Sequence, residues 1–126
     1  MTRPVIMLKA GDDRTVRIGV QDANGSARDL TTDEEVKFRA APSLAVSAAT
    51  ISKVDGDGIE IVDAAAGLID VVFTRAETLA LAQGFLLWEV KITDAAGEVI
   101  TLDFGTAAEP ETYGILRVER AMLLAG

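Results

Sequence analysis

Hydrophobic and polar residues alternate with a period of two in the two most regular segments of the chain, residues 15–22 and 85–94. In each segment apolar side chains fall on one face, and polar or small residues fall on the other. The apolar residues of these faces are Val16, Ile18, Val20, Trp88, Val90 and Ile92. Because successive side chains of a strand point to opposite sides, both segments are predicted to be β-strands with one buried face.

Shorter segments rich in β-branched and aromatic residues bring the number of predicted strands to about nine. These segments are residues 4–9, 36–40, 50–53, 58–63, 68–73, 99–104 and 114–121. Many short strands at this spacing are typical of an antiparallel β-sandwich. The chain is therefore predicted to be all-β, with a single sandwich domain over residues 1–126.

Two pairs of strands are predicted to be joined by tight hairpins. Residues 22–25 (Asp-Ala-Asn-Gly) and 94–97 (Asp-Ala-Ala-Gly) each begin with Asp and end with Gly. Glycine at the last turn position adopts the positive φ that returns the chain to a strand. Residues 41–49 show no clear period and are predicted to be a loop or an irregular edge.

One or two short helical turns are predicted between strands. Residues 74–77 (Thr-Arg-Ala-Glu) have the form of a capping box, so a short helix is predicted from there through Leu81, with Gly84 ending it. A second turn is predicted to begin at Thr31 or Thr32 and to run through residues 33–35.

Composition excludes several classes of function. The chain has 126 residues, a net charge of -8, and neither Cys nor His. It therefore holds no disulfide framework, zinc finger, thiolate nucleophile, Ser-His-Asp triad or imidazole base. No metal or other cofactor is expected.

Charge and hydropathy also limit the expected partners. Residues 40–126 carry thirteen acidic and five basic side chains, and no basic cluster interrupts them. Such a surface repels a phosphate backbone, so no nucleic-acid partner is expected. The apolar run at residues 5–8 is too short for a signal peptide or a membrane span. We therefore expect a soluble protein, made in the cytoplasm, with no membrane partner.

The acidic glycine loop at residues 55–58 (Asp-Gly-Asp-Gly) is the first candidate for chemistry. Alternate carboxylates in such a loop could converge on Ca²⁺, but an EF-hand pattern would need oxygen ligands at the positions of Ile59 and Ala66. The interpretation favoured by the sequence is a solvent-exposed hairpin turn, and cation binding stays open as the alternative.

No catalytic residue is assigned. The adjacent carboxylates Asp12-Asp13 and Glu34-Glu35 are predicted to lie on the solvated surface, because nothing indicates an apolar pocket that would separate their pKa values. The serines lack a histidine partner, and a Ser-Lys arrangement with Lys53 has no motif behind it. Trp88 is predicted to pack in the core, with a sugar-stacking role as the alternative.

Several segments share an order and spacing that covers roughly residues 8–118. They are residues 11–18 (GDDRTVRI), 22–25, 29–31 (DLT), 36–38 (VKF), 58–61 (GIEI), 67–71 (GLIDV), 74–81, 84–90 (GFLLWEV), 93–97 and 114–118 (GILRV). Taken together, they resemble the immunoglobulin-like N-terminal domain of bacteriophage baseplate upper proteins and related tail modules. The resemblance implies an immunoglobulin-like sandwich with no active site to carry over.

The same resemblance implies a structural protein of a virion, built into a tail, baseplate, neck or fibre. Its partners would be other virion structural proteins, and it would form a homo-oligomer. Residues 119–126 are predicted to act as an assembly tail that is buried against a neighbouring subunit, with Met122, Leu123 and Leu124 as the candidate contacts. The alternative function is a carbohydrate-binding or adhesion sandwich that uses Trp88 and Tyr113.

Overall fold

The strands and the helix follow one another along the chain in the order that the alternating pattern and the capping box predict. The computed structural model describes residues 5–22, 26–42, 50–81, 84–101 and 113–119. These residues form nine strands and one short helix, so the all-β prediction is confirmed. The elements are β1 (Val5–Lys9), β2 (Arg14–Gly19), β3 (Glu35–Ala41), β4 (Ile51–Asp55), β5 (Gly58–Asp63), β6 (Leu68–Phe73), α1 (Arg75–Ala80), β7 (Gly84–Thr93), β8 (Val99–Thr101) and β9 (Gly114–Glu119).

The strands pair in the order β1-β9-β7-β3-β4-β5-β6-β2, and β8 pairs with β7. The sheet folds over between β4 and β5. It thereby forms a front layer of β1, β9, β7, β3 and β4 and a back layer of β5, β6 and β2, which enclose one core. In the usual immunoglobulin letters, β2 to β7 are B, C, C′, D, E and F in chain order, and β9 is G. The front layer then includes G-F-C-C′, and the back layer is D-E-B. This is the order of strands in an immunoglobulin sandwich.

Two strand pairs are parallel, although the sequence pattern predicted an antiparallel sandwich. β1 and β9 are parallel; they are far apart in sequence, so no hairpin fixes their relative direction. β4 and β5 are also parallel, and only Val54 with Gly58 and Asp55 with Ile59 are paired. The predicted tight turn at residues 55–58 is confirmed, because Val54 and Asp57 exchange backbone hydrogen bonds at 3.1 and 2.9 Å, but β4 and β5 do not continue from it as an antiparallel hairpin. This loop is a corner that carries the chain from the front layer to the back layer.

The core lies between the two layers and is built from the predicted inward faces. Ile18, Val20, Val90 and Ile92 are buried, as the alternation requires. Phe38 lies at the centre of the core. Its ring stacks on that of Trp88 with 5.5 Å between centroids, and it meets the ring of Phe73 edge-on at 5.7 Å. Burial of one such aromatic or aliphatic side chain contributes about 1.5–3 kcal/mol to stability.

The predicted hairpin at residues 94–97 is confirmed, because β7 and β8 are antiparallel on either side of it. Gly97 has a φ of 84°, and Asp94 Oδ1 accepts hydrogen bonds from the backbone N–H groups of Ala96 and Glu98, both at 2.9 Å. Residues 23–25 of the other predicted hairpin lie outside the described residues. On either side of that gap, Asp22 N donates to Ser26 O at 2.8 Å.

The capping box is confirmed at the start of α1. Glu77 N donates to Thr74 Oγ1 at 3.3 Å, and Thr74 N donates to Glu77 Oε1 at 2.9 Å. The helix ends at Ala80 because Leu81 is extended, so the prediction that Gly84 ends it is wrong, and Gly84 instead begins β7. Among the described residues, no helix is long and apolar enough to cross a membrane.

The second predicted helical turn is not a helix. Residues 31–32 form a hydrogen-bonded turn, and β3 begins at Glu35. The side chain of Asp29 accepts hydrogen bonds from both the N–H and the hydroxyl of Thr31, at 2.9 and 2.6 Å. This local bonding replaces the helical hydrogen bonds that the segment would otherwise make.

Candidate functional site

An open groove of about 820 Å³ lies at the corner where β4 passes into β5. The groove is bordered by the 55–58 loop, by the outer face of β5 and β6, and by the first turn of α1. Its lining includes Lys53, Asp57, Glu60, Ile61, Val72 and Glu77. Carboxylates therefore outnumber amines around a floor that is partly apolar.

Lys53 is buried at the inner end of this groove, with 6% of its side chain exposed. The alternation of β4 places it on the same face as Ile51, so a lysine occupies a core-facing position. Its Nζ donates to Glu77 Oε2 at 2.6 Å and lies 5.5 Å from the centre of the Phe73 ring. The ion pair and the aromatic face compensate for the loss of water around the ammonium group.

Two further features complete the Lys53 environment. A Cβ at Gly58 would lie 2.9 Å from Cγ and Cδ of Lys53, so only glycine leaves room for the lysine methylenes. Partial burial would raise the pKa of Glu77, but hydrogen bonds from Lys53 and from Thr74 N together hold this pKa below its ordinary value. Glu77 is therefore ionised at neutral pH, and its contact with Lys53 holds α1 against β4.

The two loop carboxylates, Asp55 and Asp57, have different surroundings. Asp55 Oδ1 accepts a hydrogen bond from Val36 N at 2.9 Å, so it links the corner to β3. Asp57 is exposed. Within the described ranges, no group of three or more acidic side chains is placed to hold a metal ion.

The adjacent carboxylates found in the sequence do not meet in one site. Asp13 Oδ1 accepts from Arg75 N at 2.7 Å, and the backbone oxygen of Asp12 accepts from Thr78 Oγ1 at 2.9 Å. Both residues thus anchor α1 to the turn before β2. Glu34 and Glu35 are exposed where β3 begins.

The structure places the serine and aromatic candidates where they do not form a site together. Ser52 is exposed while Lys53 is buried and paired with Glu77, so the two side chains lie on opposite faces of β4. Trp88 is only 2% exposed, which confirms the core prediction and contradicts its use as a sugar platform. Tyr113 is half-buried just before β9. Met122, Leu123 and Leu124 lie outside the described residues.

An open strand edge, which the sequence pattern did not reveal, borders the same groove. Only the first two residues of β5 pair with β4, so residues 60–63 have no partner strand on that side among the described residues. Ile61 is 36% exposed and Val62 is 41% exposed on this edge. The strand itself was predicted correctly, but period-two alternation does not specify which strands become neighbours.

A second open seam separates β1 from β2. Among the described strands, β1 pairs with β9 and β2 pairs with β6, so their other edges face each other across a cleft of about 210 Å³. Val5, Ile6, Val16 and Ile18 lie along this cleft, and Trp88 contributes to its wall. The outer edge of β8, which pairs only with β7, is also unpaired, so the sandwich has at least three places where strand edges are unsatisfied by its described strands.

A scan against models of protein families finds no match to this chain, and a search of curated proteins finds no match either. The functional proposal therefore rests on the surface features described above and on the resemblance found in the sequence.

Proposed function

We propose that this protein is a non-enzymatic structural module that assembles into a phage or phage-like particle, as a component of its tail, baseplate, neck or fibre. The resemblance to the immunoglobulin-like domain of baseplate upper proteins supports this role. The strand order of the sandwich is compatible with it. Its partners would be further copies of the chain and other structural proteins of the particle.

The observation that carries the proposal is the open edge of β5. Monomeric β-proteins protect such edges with charges, prolines or covering segments, because an exposed edge pairs with other chains. Here Glu60 and Asp63 place charges at the two ends of the edge, but exposed Ile61 and Val62 leave an apolar section between them that no described strand pairs with on this side. An edge of this kind is suited to pairing with another chain.

Two experiments test whether the protein is part of a particle: analysis of the proteins in purified particles, and antibody labelling of the protein on them. Particles purified from an induced culture of the organism that encodes the chain should contain it in fixed proportion to the other structural proteins, as measured by mass spectrometry. Antibody labelling under the electron microscope should mark one part of the particle. A chain that stays in the soluble fraction and is missing from intact particles would contradict the virion role.

Self-assembly is tested separately in solution. The purified full-length chain should sediment as species larger than its 13.3 kDa monomer, with a fraction that rises with concentration. A strict monomer at the highest soluble concentration would contradict homo-oligomer formation and would leave only assembly with other proteins.

The alternative function, a carbohydrate-binding or adhesion module, depended mainly on Trp88, which is not accessible to a ligand. Trp88 is 2% exposed, and its ring stacks on Phe38 inside the core. Sugar-binding platforms need an aromatic face open to solvent. Glycan-array binding that survives substitution of Tyr113 would show that a sugar site exists elsewhere on the surface.

A further inference from the structure

We propose that the groove at the corner between β4 and β5 is the docking site for a basic segment of another protein, in which lysine or arginine residues flank an apolar residue. The inference rests on the proposed assembly role. It names a surface, and the chemistry of its occupant, for the partners that are not further copies of this chain.

The groove is a different surface from the unpaired edge of β5. Ile59 O accepts from Gly56 N at 3.0 Å, on the side of β5 that faces the corner. Backbone groups two residues apart on a strand point to the same side, so the N–H and C=O of Ile61 are directed toward the open edge. The side chains of Glu60 and Val72 instead project from the outer face of the sheet. A further copy at the edge and another protein in the groove would therefore contact separate groups.

The groove presents carboxylates that no described residue neutralises. Four acidic residues and one lysine line it, and that lysine, Lys53, is buried and bonded to Glu77. The side chain of Asp55 is bonded to the backbone of β3. Asp57 and Glu60 are exposed, and neither side chain forms a hydrogen bond or an ion pair with a described residue. These two charges remain available to an occupant.

The nearest cation in the same cross-strand row is already engaged. Glu60, Asp70 and Arg17 lie opposite one another on β5, β6 and β2. Arg17 makes two hydrogen bonds to Asp70, at 2.9 and 3.3 Å, and lies one strand beyond it from Glu60. The row therefore holds two carboxylates for one cation, and the excess negative charge is at the groove.

The loop that carries Asp57 is ordered before anything binds. The two backbone hydrogen bonds between Val54 and Asp57 close it. Gly56 and Gly58 have φ angles of 85° and 96°, which fix the path of the chain on either side of Asp57. A site that is already ordered loses little conformational entropy on binding.

The floor of the groove is apolar. Ile61 and Val72 line it, and each is 36% exposed. The methylene groups of lysine and arginine pack on such a surface while their charged ends reach carboxylates. An apolar side chain between two basic ones would cover the rest of the floor. The groove therefore fits a segment that combines positive charge with apolar residues.

Charge complementarity indicates another protein as the occupant. The net charge of the chain is -8, so a second copy placed in this acidic groove would bring like charges together. The two longest segments outside the described residues, 43–49 and 102–112, contain neither Lys nor Arg. The groove also repels the phosphates of nucleic acids. A basic segment of a different structural protein complements this surface.

Binding of three synthetic peptides to the full-length chain, measured by fluorescence anisotropy, tests the site. Lys-Leu-Lys-Leu-Lys matches both the carboxylates and the floor, Lys-Ser-Lys-Ser-Lys matches the carboxylates alone, and Glu-Leu-Glu-Leu-Glu has the reverse charge. We expect the first to bind, the second to bind at least about tenfold more weakly, and the third not to bind. Binding of the first should weaken as salt rises, because exposed charges are screened. Equal binding of all three peptides, or of none, would overturn the proposal.

Asp57→Ser and Glu60→Gln remove the two available charges, and Glu98→Gln is the matched control. Glu98 is exposed in the hairpin before β8 and does not line the groove. We expect each groove variant to bind Lys-Leu-Lys-Leu-Lys about threefold more weakly, and the double variant about tenfold. Glu98→Gln should bind as the parent does, and emission from Trp88 reports whether each variant keeps its core. An equal loss for Glu98→Gln would show that net charge alone attracts the peptide, which would overturn the groove as its site.

Val72→Lys is an independent test, because it places a positive charge on the floor of the groove. We expect it to abolish binding of the basic peptide, and unchanged binding would contradict the site. In sedimentation velocity, Asp57→Ser should self-associate as the parent chain does. Loss of self-association in this variant would show that a second copy fills the groove, and would overturn the choice of partner.

The outcomes also separate this inference from the assembly role. If the chain is present in purified particles and the basic peptide does not bind it, the docking site is wrong while the virion role stands. If the peptide binds as expected and the chain is missing from particles, the virion role is wrong while the docking site stands.

Discussion

Lys53 shows how a charged residue is accommodated at a core-facing position of a strand. Its ammonium group has one carboxylate partner, Glu77, and its stem crosses a glycine on the neighbouring strand. Glu77 in turn belongs to the cap of α1, so a single carboxylate holds both the helix start and the buried lysine. The sequence predicted the capping box but gave no sign of the ion pair, because the pair joins residues 24 positions apart.

Glu77→Gln should lower the free energy of unfolding by about 1–2 kcal/mol at pH 7, because Lys53 loses its charged partner. Glutamine preserves the capping box, so the change isolates the ion pair. The pKa of Glu77 is held below its ordinary value of 4.5, so its contribution is complete above that pH and is lost as the pH falls through the lower, folded-state pKa. The difference between parent and variant should therefore shrink in acid.

Urea unfolding followed by Trp88 emission at pH 7 and at several values below 4.5 measures this effect. Glu98→Gln, at an exposed position of the hairpin before β8, is the control and should change little at any pH. A difference for Glu77→Gln that is constant across the pH range would contradict the role assigned to the ion pair.

Gly114→Ala should destabilise the protein by about 1–3 kcal/mol, because the added Cβ would lie 2.5 Å from the Trp88 ring. The same substitution at Gly19 is the control. Its Cβ would lie 3.6 Å from Leu68, which is an ordinary contact, and neither glycine has a positive φ. Thermal unfolding should separate the two variants, and equal melting temperatures would show that the Trp88 ring is not packed against β9.

At the scale of elements, Arg28 stabilises the segment between β2 and β3 through hydrogen bonds to two carboxylates. Arg28 donates two hydrogen bonds to the Asp33 carboxylate, at 2.7 and 3.1 Å, and one to Asp22 at 3.1 Å. The Asp33 side chain is 1% exposed. These bonds, above all those to Asp33, raise the pKa of Arg28 above its ordinary value.

Arg28→Met should destabilise the protein by about 3 kcal/mol, because it leaves the buried Asp33 carboxylate without its cation. Arg17→Met is the matched control, since Arg17 also forms two hydrogen bonds to one carboxylate, that of Asp70, but its side chain is 59% exposed. Chemical denaturation should show a large loss for Arg28→Met and little for Arg17→Met. Similar losses for both would mean that burial does not determine the strength of these pairs.

The positions of the strands and the helix were largely predictable from the sequence, whereas the pairing between strands was not. Alternation identified β2 and β7, and Asp94 with Gly97 identified the hairpin to β8, because these signals are local. The direction of β1 against β9 depends on packing between distant segments, and the local turn at residues 55–58 does not by itself tell which strands become neighbours beyond it. The open edge of β5 follows from that corner, so the candidate interaction surface was beyond sequence reasoning.

At the scale of the whole molecule, the sandwich is closed around its core, but several of its strand edges have no partner among the described strands. Phe38 stacks on Trp88 within the front layer and meets Phe73 of the back layer, so the core aromatics join the two inner faces. The edge of residues 60–63 and the cleft between β1 and β2 are not satisfied by the described strands. These unpaired edges are the surfaces at which the proposed contact with another chain would form.

Hydrogen–deuterium exchange of the full-length chain, compared between dilute and concentrated solutions, tests this account most directly. We expect the amide of Ile61, which faces the open edge, to become protected as concentration rises, while amides of β6, which is paired on both sides, stay equally protected throughout. Exchange of the Ile61 amide that is independent of concentration while the chain oligomerises, or protection that appears along β1 and β2 instead, would contradict the β5 edge as the assembly surface.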